Sequence, residues 1–400
     1  MIEDIVNKPN FCILPWTHLY YFTDGYVYPC PSLVNDKSMR LGKCTDSKDA
    51  LWNSEVLKDL RKKMLKDEFI KPCFKMCNGS LNSCKKYVGL ESLEHAKEAI
   101  LTTKEDGTAN YNFINWNLIE SNLCNLQCKY CSFYYSNLWD ENKEVRRGLP
   151  FNDLIDLYDS NYDLVKEIWF ASGEPVLQKS TYYFLNRLIK DKRTNVKIRL
   201  ITNLMKTDYL GQNIFDLLKQ FKDVIVFGSW DLNGERGEFI RKNSSTPIIK
   251  NTIKQINEKG IPFILQSVIS IFNIYYFPEF HKEMYEEGLL KKDNIRYYNL
   301  NGPHKFRYSI LPLKIKNKIK DNLLLYKEWL GPGLSEFPNR ECPLKVIDKI
   351  IETLYTGKWG HWDFNENVNE EKYRIFYNEI FYKNGVLDKN TFKLFKEILL

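Results

Sequence analysis

From Tyr111 onward the chain alternates short apolar runs with amphipathic stretches, and few folds accommodate that alternation. The apolar runs at 113–119, 165–171, 196–202, 224–229, 263–269 and 295–300 read as strands. Between them, 151–159, 181–190, 208–221, 247–259 and 280–287 carry apolar residues three and four apart, the spacing of helices with one buried face. This order predicts parallel strands joined by helical crossovers, as an incomplete barrel or an open doubly wound sheet. Either arrangement gathers ligands at the C-terminal ends of the strands, so chemistry is expected in the residues that follow each strand.

Composition narrows the setting. With 400 residues and 44% hydrophobic side chains the chain can bury a core in each of two or three domains, which excludes a disordered protein. Lys and Arg exceed Asp and Glu by 58 − 51 = 7, too small a surplus to indicate nucleic acid. The N-terminus lacks a basic start followed by an apolar stretch, so export is not expected and a cytoplasmic location is. The longest apolar window, 261–277, is interrupted by Pro262, Gln266, Ser267, Ser270 and Asn273 and falls short of the roughly 20 residues of a spanning helix. It reads as a buried strand running into a loop, and no membrane partner is expected.

In a reducing compartment ten cysteines are thiols and candidates for metal. Cys12, Cys30, Cys44, Cys73, Cys77 and Cys84 precede residue 100, Cys124, Cys128 and Cys131 form one tight group, and Cys342 stands alone. A polar, turn-forming stretch at 101–110 divides them, so three regions are expected: 1–105, 110–335 and a C-terminal helical extension at 336–400. Lys314, Lys316, Lys318 and Lys320 read as a solvated face without a role.

The sequence CNLQCKYC follows the first strand of the array, with three and then two residues between its cysteines. Zinc in a structural site wants four ligands, and no His or further Cys lies nearby to complete the set. An iron–sulfur cube held at three corners keeps its fourth iron open to an outside ligand, which suits catalysis. The spacing, with Tyr130 before the third cysteine, resembles the signature of the radical S-adenosylmethionine (radical SAM) superfamily. That resemblance covers about residues 112–313 and implies an α/β fold, the partial (β/α)6 barrel. It also implies a [4Fe-4S] cluster held by Cys124, Cys128 and Cys131 whose open iron chelates S-adenosylmethionine. Reductive cleavage to methionine and a 5′-deoxyadenosyl radical would follow, the electron coming from a donor such as flavodoxin or ferredoxin.

Other strand ends fit the same resemblance. Ser172, Gly173, Glu174 and Pro175 close the second strand where the family has Gly-Gly-Glu-Pro, a turn that receives the methionine amine; here Ser172 replaces the first glycine. Thr202 and Asn203 end the third strand as the family's Thr-Asn step, whose side chains reach the ribose, and Ser229 and Asp231 end the fourth in the place of its Ser-x-Asp pattern, although Asn and Asp also cap ordinary turns. Arg241 stands where relatives keep an Arg near the cofactor carboxylate, although a surface arginine fits the sequence equally, and Gln266, polar in the apolar run of the fifth strand, either faces the barrel interior or satisfies a backbone group.

Ahead of residue 105, Asp24-Gly25 between two aromatic runs is a hairpin signal that returns Cys30 towards Cys12. An amphipathic helix over 51–64, with Leu51, Val56, Leu57, Leu60 and Met64 on one face, can bring Cys73, Cys77 and Cys84 to the same place. This region resembles the twitch or SPASM auxiliary-cluster domain, with four residues between Gly25 and Cys30 and then a Trp-Asn-Ser helix, here placed before the core. The resemblance implies a second [4Fe-4S] cluster on Cys12, Cys30, Cys73 and Cys77, with Cys84 the rival for the last position; four thiolates on a hairpin and loop equally describe a zinc ribbon. Cys44 and Cys342 read as incidental thiols, and Trp16 and His18 as structural.

Two functions compete. One is a radical enzyme acting on a peptide side chain, a sugar or another small molecule, by net oxidation or bond formation. The other is a non-catalytic zinc-binding or iron–sulfur-binding module. A binding module has no reason to place the Ser172–Pro175 turn at the second strand end of a six-unit βα array.

Overall fold

The computed structural model describes residues 2–76, 90–300, 302–332, 343–359, 362–363, 370–383 and 386–398. Its strands up to residue 299, in chain order, are β1 (His18–Tyr21), β2 (Tyr26–Tyr28), β3 (Gly42–Lys43), β4 (Asn115–Leu118), β5 (Gln127–Cys128), β6 (Glu167–Phe170) and β7 (Lys197–Thr202). There follow β8 (Asp208–Tyr209), β9 (Gln212–Asn213), β10 (Val224–Ser229), β11 (Arg241–Lys242), β12 (Phe263–Ile269) and β13 (Ile295–Asn299). The expected strands are β4, β6, β7, β10, β12 and β13, alternating with helices that include Phe151–Asp159, Lys179–Lys190, Thr246–Glu258 and Phe277–Glu286. The chain divides into two compact units, one of residues 1–125, 132–202 and 206–226, the other of 126–131, 203–205 and 227–400.

In the first unit β4, β6 and β7 pair in parallel, Asn115 opposite Glu167 and Glu167 opposite Lys197. Alternation gives this sheet two unlike faces. Trp116 is fully buried against Tyr158 and Phe184 of the flanking helices, with ring centroids 4.8 and 5.8 Å apart. Ile168, Phe170, Ile198 and Leu200 share that apolar face. Opposite it lie Asn115, Asn117, Glu167 and Arg199, with Glu167 and Arg199 paired at 3.2 Å. The helix-covered face makes the core of this unit.

The N-terminal hairpin forms as expected, Tyr20 opposite Tyr28 and Tyr21 opposite Val27, with Gly25 in the left-handed region at φ +86°. The hairpin does not stand apart: β1 pairs in parallel with β4, His18 opposite Asn115, so the sheet order in this unit is β3-β2-β1-β4-β6-β7. His18 donates from Nδ1 to the carbonyl of Asn115 at 2.8 Å and is buried, in keeping with a structural role.

Three local expectations are corrected. The helix over 51–64 is two helices, Lys48–Trp52 and Glu55–Lys66, because Ser54 caps the second through Leu57 N. Asn53 meanwhile accepts from Arg61 and from Ala109 N, and Trp52 Nε1 donates to Asn110 O, so the Trp-Asn-Ser sequence ties the break to the loop before β4. Residues 208–221 begin as a two-residue hairpin, β8 and β9, with Leu210 and Gly211 at φ +52° and +76°, and only Ile214–Leu218 is helical. Within the helix Leu313–Leu330, Lys314, Lys318 and Lys320 are exposed but Lys316 is buried, and burial lowers its ammonium to about 8.

The second unit pairs β12 with β13 in parallel and β5 with β11 antiparallel. Helices Pro343–Thr356, Glu370–Phe381 and Lys389–Leu394 supply the expected C-terminal helical region. No helix among the described residues is long and apolar enough to cross a membrane.

Candidate functional site

The polar run Glu120-Ser121-Asn122 leaves β4 and holds the start of the cysteine loop. Asn122 is fully buried, donating to Phe133 O and accepting from Arg146 N, while Asn137 Oδ1 accepts from Cys124 N at 3.0 Å. Ser121 donates to Gln178 Oε1, and Gln178 returns a bond to Leu123 O. These asparagines and Gln178 were not singled out from sequence; the signal was a polar run placed directly after a strand.

Onto this loop folds the turn after β6. Glu174 N donates to Leu123 O at 2.8 Å, and the Ser172 hydroxyl donates to Ser121 O. Gly173 has φ +49°, and a Cβ there would stand 2.3 Å from Leu123 O, so glycine is required by both conformation and space. Glu174 is 1% exposed, and its Oε1 accepts from Val176 N at 3.2 Å and from Thr202 Oγ1 at 2.8 Å. The first unit thus brings together Cys124, Ser172, Gly173, Glu174 and Thr202.

The second unit gathers the rest of the loop. Cys131 N donates to Cys128 O at 3.0 Å, and Cys128 lies directly opposite Arg241 in the β5–β11 pair. Arg241 Nη1 points to Cys128 Sγ at 3.8 Å, and its Nε donates to Asp231 Oδ2 at 2.8 Å. Asp231, fully buried, also accepts from the Tyr130 hydroxyl and from Val268 N. Burial pushes the Cys128 thiol up, and the Arg241 charge opposes that. Gln266 sits on β12, donating to the Tyr298 hydroxyl at 3.2 Å, while its carbonyl accepts from Trp230 N beside Ser229. Asn203 accepts from Met205 N and so shapes its own turn.

Cys12, Cys30 and Cys73 are buried in the first unit; Cys77, Cys84 and Cys342 lie outside the described residues. Cys44 donates to Phe22 O at 3.7 Å, and burial pushes its thiol up to about 12, an inert setting. The hairpin tip meets the segment after Cys131: Thr23 donates to Tyr134 O, and Phe22 packs on Tyr134 and Tyr135. Among the described residues no three His, Cys, Asp or Glu are gathered tightly enough for one metal ion. Soft thiol donors are the ligands an iron–sulfur cluster takes, and Cys128 Sγ has an N–H of Arg241 turned to it.

Residues 118–289 match the family model of the radical SAM superfamily. The chain carries a radical SAM domain. Residues 12–88 match an iron–sulfur cluster-binding domain, SPASM, which precedes the radical SAM domain in the order expected. The two domains define the cofactors as a [4Fe-4S] cluster with S-adenosylmethionine, and an auxiliary iron–sulfur cluster. Among solved structures the chain is similar to hexahistidine-tagged anSMEcpe with bound AdoMet, at 19% identity over 54% of this chain and 58% of that one, TM-score 0.41. Native anSMEcpe with bound AdoMet matches at 18% over 61% and 67%, TM-score 0.43. Streptococcus suis SuiB bound to S-adenosylmethionine matches at 16% over 64% and 54%, TM-score 0.39. The radical SAM chain therefore spans 58% of the first of these structures and 54% of the last. No curated protein matches it.

Proposed function

We propose that this chain is an enzyme that cleaves S-adenosylmethionine reductively and takes hydrogen from a peptide side chain, a sugar or another small molecule, in a net oxidation or bond formation. The observation that supports this reading is the bond from Glu174 N to Leu123 O, which sets the Ser172–Pro175 turn against the residue before Cys124. In this reading Cys124, Cys128 and Cys131 hold the cluster. Bound there, it would supply the electron that splits S-adenosylmethionine into methionine and a 5′-deoxyadenosyl radical, the hydrogen-abstracting species.

The remaining steps belong to the chain. Backbone groups of the turn receive the methionine amine, and Thr202 fixes the Glu174 carboxylate that shapes the turn. Cys12, Cys30 and Cys73, with Cys77 or Cys84, would hold the auxiliary cluster, which would supply an acceptor for the substrate's electron. Flavodoxin or ferredoxin is the proposed donor.

The test is anaerobic reconstitution followed by reduction with dithionite in the presence of S-adenosylmethionine. Formation of 5′-deoxyadenosine by a brown, iron- and sulfide-containing protein supports the proposal; a colourless protein with stoichiometric zinc overturns it.

A further inference from the structure

The second unit builds a hydrogen-bonded arrangement around Cys128. The β5–β11 pair is fixed in register by Lys129 N donating to Ile240 O at 2.8 Å and by Lys242 Nζ donating to Gln127 Oε1 at 3.1 Å. That register places Arg241 across from Cys128. Arg241 is 7% exposed, and three of its nitrogens have partners. Nε meets Asp231 Oδ2 at 2.8 Å, Nη2 meets Oδ1 at 3.5 Å, and Nη1 meets Cys128 Sγ at 3.8 Å.

Asp231 is held in turn. Its Oδ2 accepts from the Tyr130 hydroxyl as well as from Arg241, and its Oδ1 accepts from Val268 N at 2.9 Å. A carboxylate with this many donors does not swing, so it anchors the guanidinium plane and with it the direction of Nη1. The same carboxylate balances the Arg241 charge, and what remains facing the sulfur is an oriented N–H.

We propose that Arg241 is a positioning residue that donates to the Cys128 thiolate and thereby raises the reduction potential of the cluster held there, with Asp231 and Tyr130 fixing its direction. This rests on the reading of Cys128 as a cluster ligand. A donor to a ligand sulfur stabilises the state carrying more negative charge, which is the reduced one, so losing the donor lowers the potential. Asp231 and Arg241 then act on the cluster, whereas the family resemblance had placed them in contact with the cofactor.

The test is a potentiometric titration followed by electron paramagnetic resonance on reconstituted protein without S-adenosylmethionine. The triple Cys124→Ala, Cys128→Ala, Cys131→Ala variant supplies the signal of any other cluster for subtraction. Arg241→Lys and the double variant Arg241→Gln with Asp231→Asn leave no lone buried carboxylate. Arg241→Lys is expected to keep its iron and to show about a tenfold lower ratio of reduced to oxidised cluster at a fixed ambient potential, which is about 59 mV for one electron. The double variant, which also lacks the guanidinium, is expected to shift in the same direction. An unchanged potential in Arg241→Lys, with S-adenosylmethionine bound tenfold more weakly, assigns Arg241 to the cofactor carboxylate and overturns the proposal. Should Arg241→Lys lose its iron, Tyr130→Phe is read in the same titration: it removes one donor from Asp231, whose charge then draws Arg241 away from the sulfur. An unchanged potential there overturns the proposal as well. Full iron in a separate Cys128→Ala variant removes the ligand assignment itself, a failure distinct from that of Arg241.

Discussion

Glu174 and Leu123 are joined by one backbone hydrogen bond, Glu174 N to Leu123 O at 2.8 Å, and it fastens the turn after β6 to the residue that precedes Cys124. Two segments about fifty residues apart in sequence thereby become one rim of the candidate site. The cysteine loop and the Ser-Gly-Glu-Pro turn are thus parts of a single device, and disturbing either one is expected to disturb cofactor binding.

Replacing Cys124, Cys128 and Cys131 together with Ala is expected to remove about four irons per chain and to abolish 5′-deoxyadenosine formation, because three thiolates hold one cube. Iron analysis and product chromatography check both parts. Undiminished 5′-deoxyadenosine in the triple variant would end the assignment.

Glu174→Ala is expected to keep its iron, bind S-adenosylmethionine more weakly and lose stability. The substitution leaves the Thr202 hydroxyl and Val176 N without their acceptor, at about 1–3 kcal/mol for each buried donor. Glu174→Gln retains an oxygen at that position and is expected to recover most of both losses. Denaturant unfolding and equilibrium dialysis measure the pair, and an unchanged affinity in Glu174→Ala would reduce the turn to a structural feature.

Gly173→Ala tests the close approach more directly. The new Cβ would lie 2.3 Å from Leu123 O in a backbone already at φ +49°, so turn and loop must separate. The left-handed conformation alone costs about 1–2 kcal/mol. Iron content near that of the parent with S-adenosylmethionine binding lost is the expected pattern; normal binding would show that the turn can move without consequence.

The auxiliary site is tested by Cys30→Ala, expected to lower iron by up to about four per chain while slow, uncoupled S-adenosylmethionine cleavage persists and product formation collapses. Cys77→Ala and Cys84→Ala, measured in parallel, identify the last ligand by which of them loses iron. If neither Cys30→Ala nor Cys77→Ala loses iron, the electron-acceptor role goes with the cluster.

Stability is expected to fall in mild acid because two histidines are buried in the neutral form. Desolvation lowers His18 and His281 from 6.5 to about 4. Between those values the unfolded chain binds a proton that the folded chain refuses. The stabilisation is therefore complete above about pH 6.5 and is lost as the pH falls towards 4, by about 3 kcal/mol for each histidine. Urea unfolding at pH 5 and pH 7.5 reads the slope, and His18→Asn or His281→Asn should flatten it by about one proton. An unaltered slope in both variants would place the acid sensitivity elsewhere.

The strand and helix pattern was legible because it is carried by residues close in sequence. The runs at 224–229 and 263–269 coincide with β10 and β12, and 151–159 with a helix, since alternation by two or by three and four is imposed by the local backbone. Where the pattern misled, one residue outweighed it. Gly211 with Leu210 turned the start of 208–221 into a hairpin, and Ser54 broke 51–64 by capping a new helix. Lys316 is buried because its position on the helix faces inward, which a count of lysines does not show.

The sequence by itself determined the cysteine spacing, the Ser172–Pro175 turn at a strand end, the order of the two domains and therefore the cofactors. Tertiary structure alone decided that β1 would extend the sheet beside β4, that Asn122 and Asn137 would brace the cysteine loop, and that Arg241 would face Cys128. The physical reason is range. Covalent spacing limits where neighbouring thiols can go, whereas residues 113 positions apart meet only when backbone donors and acceptors of distant segments fall into one register, and no local periodicity encodes that register.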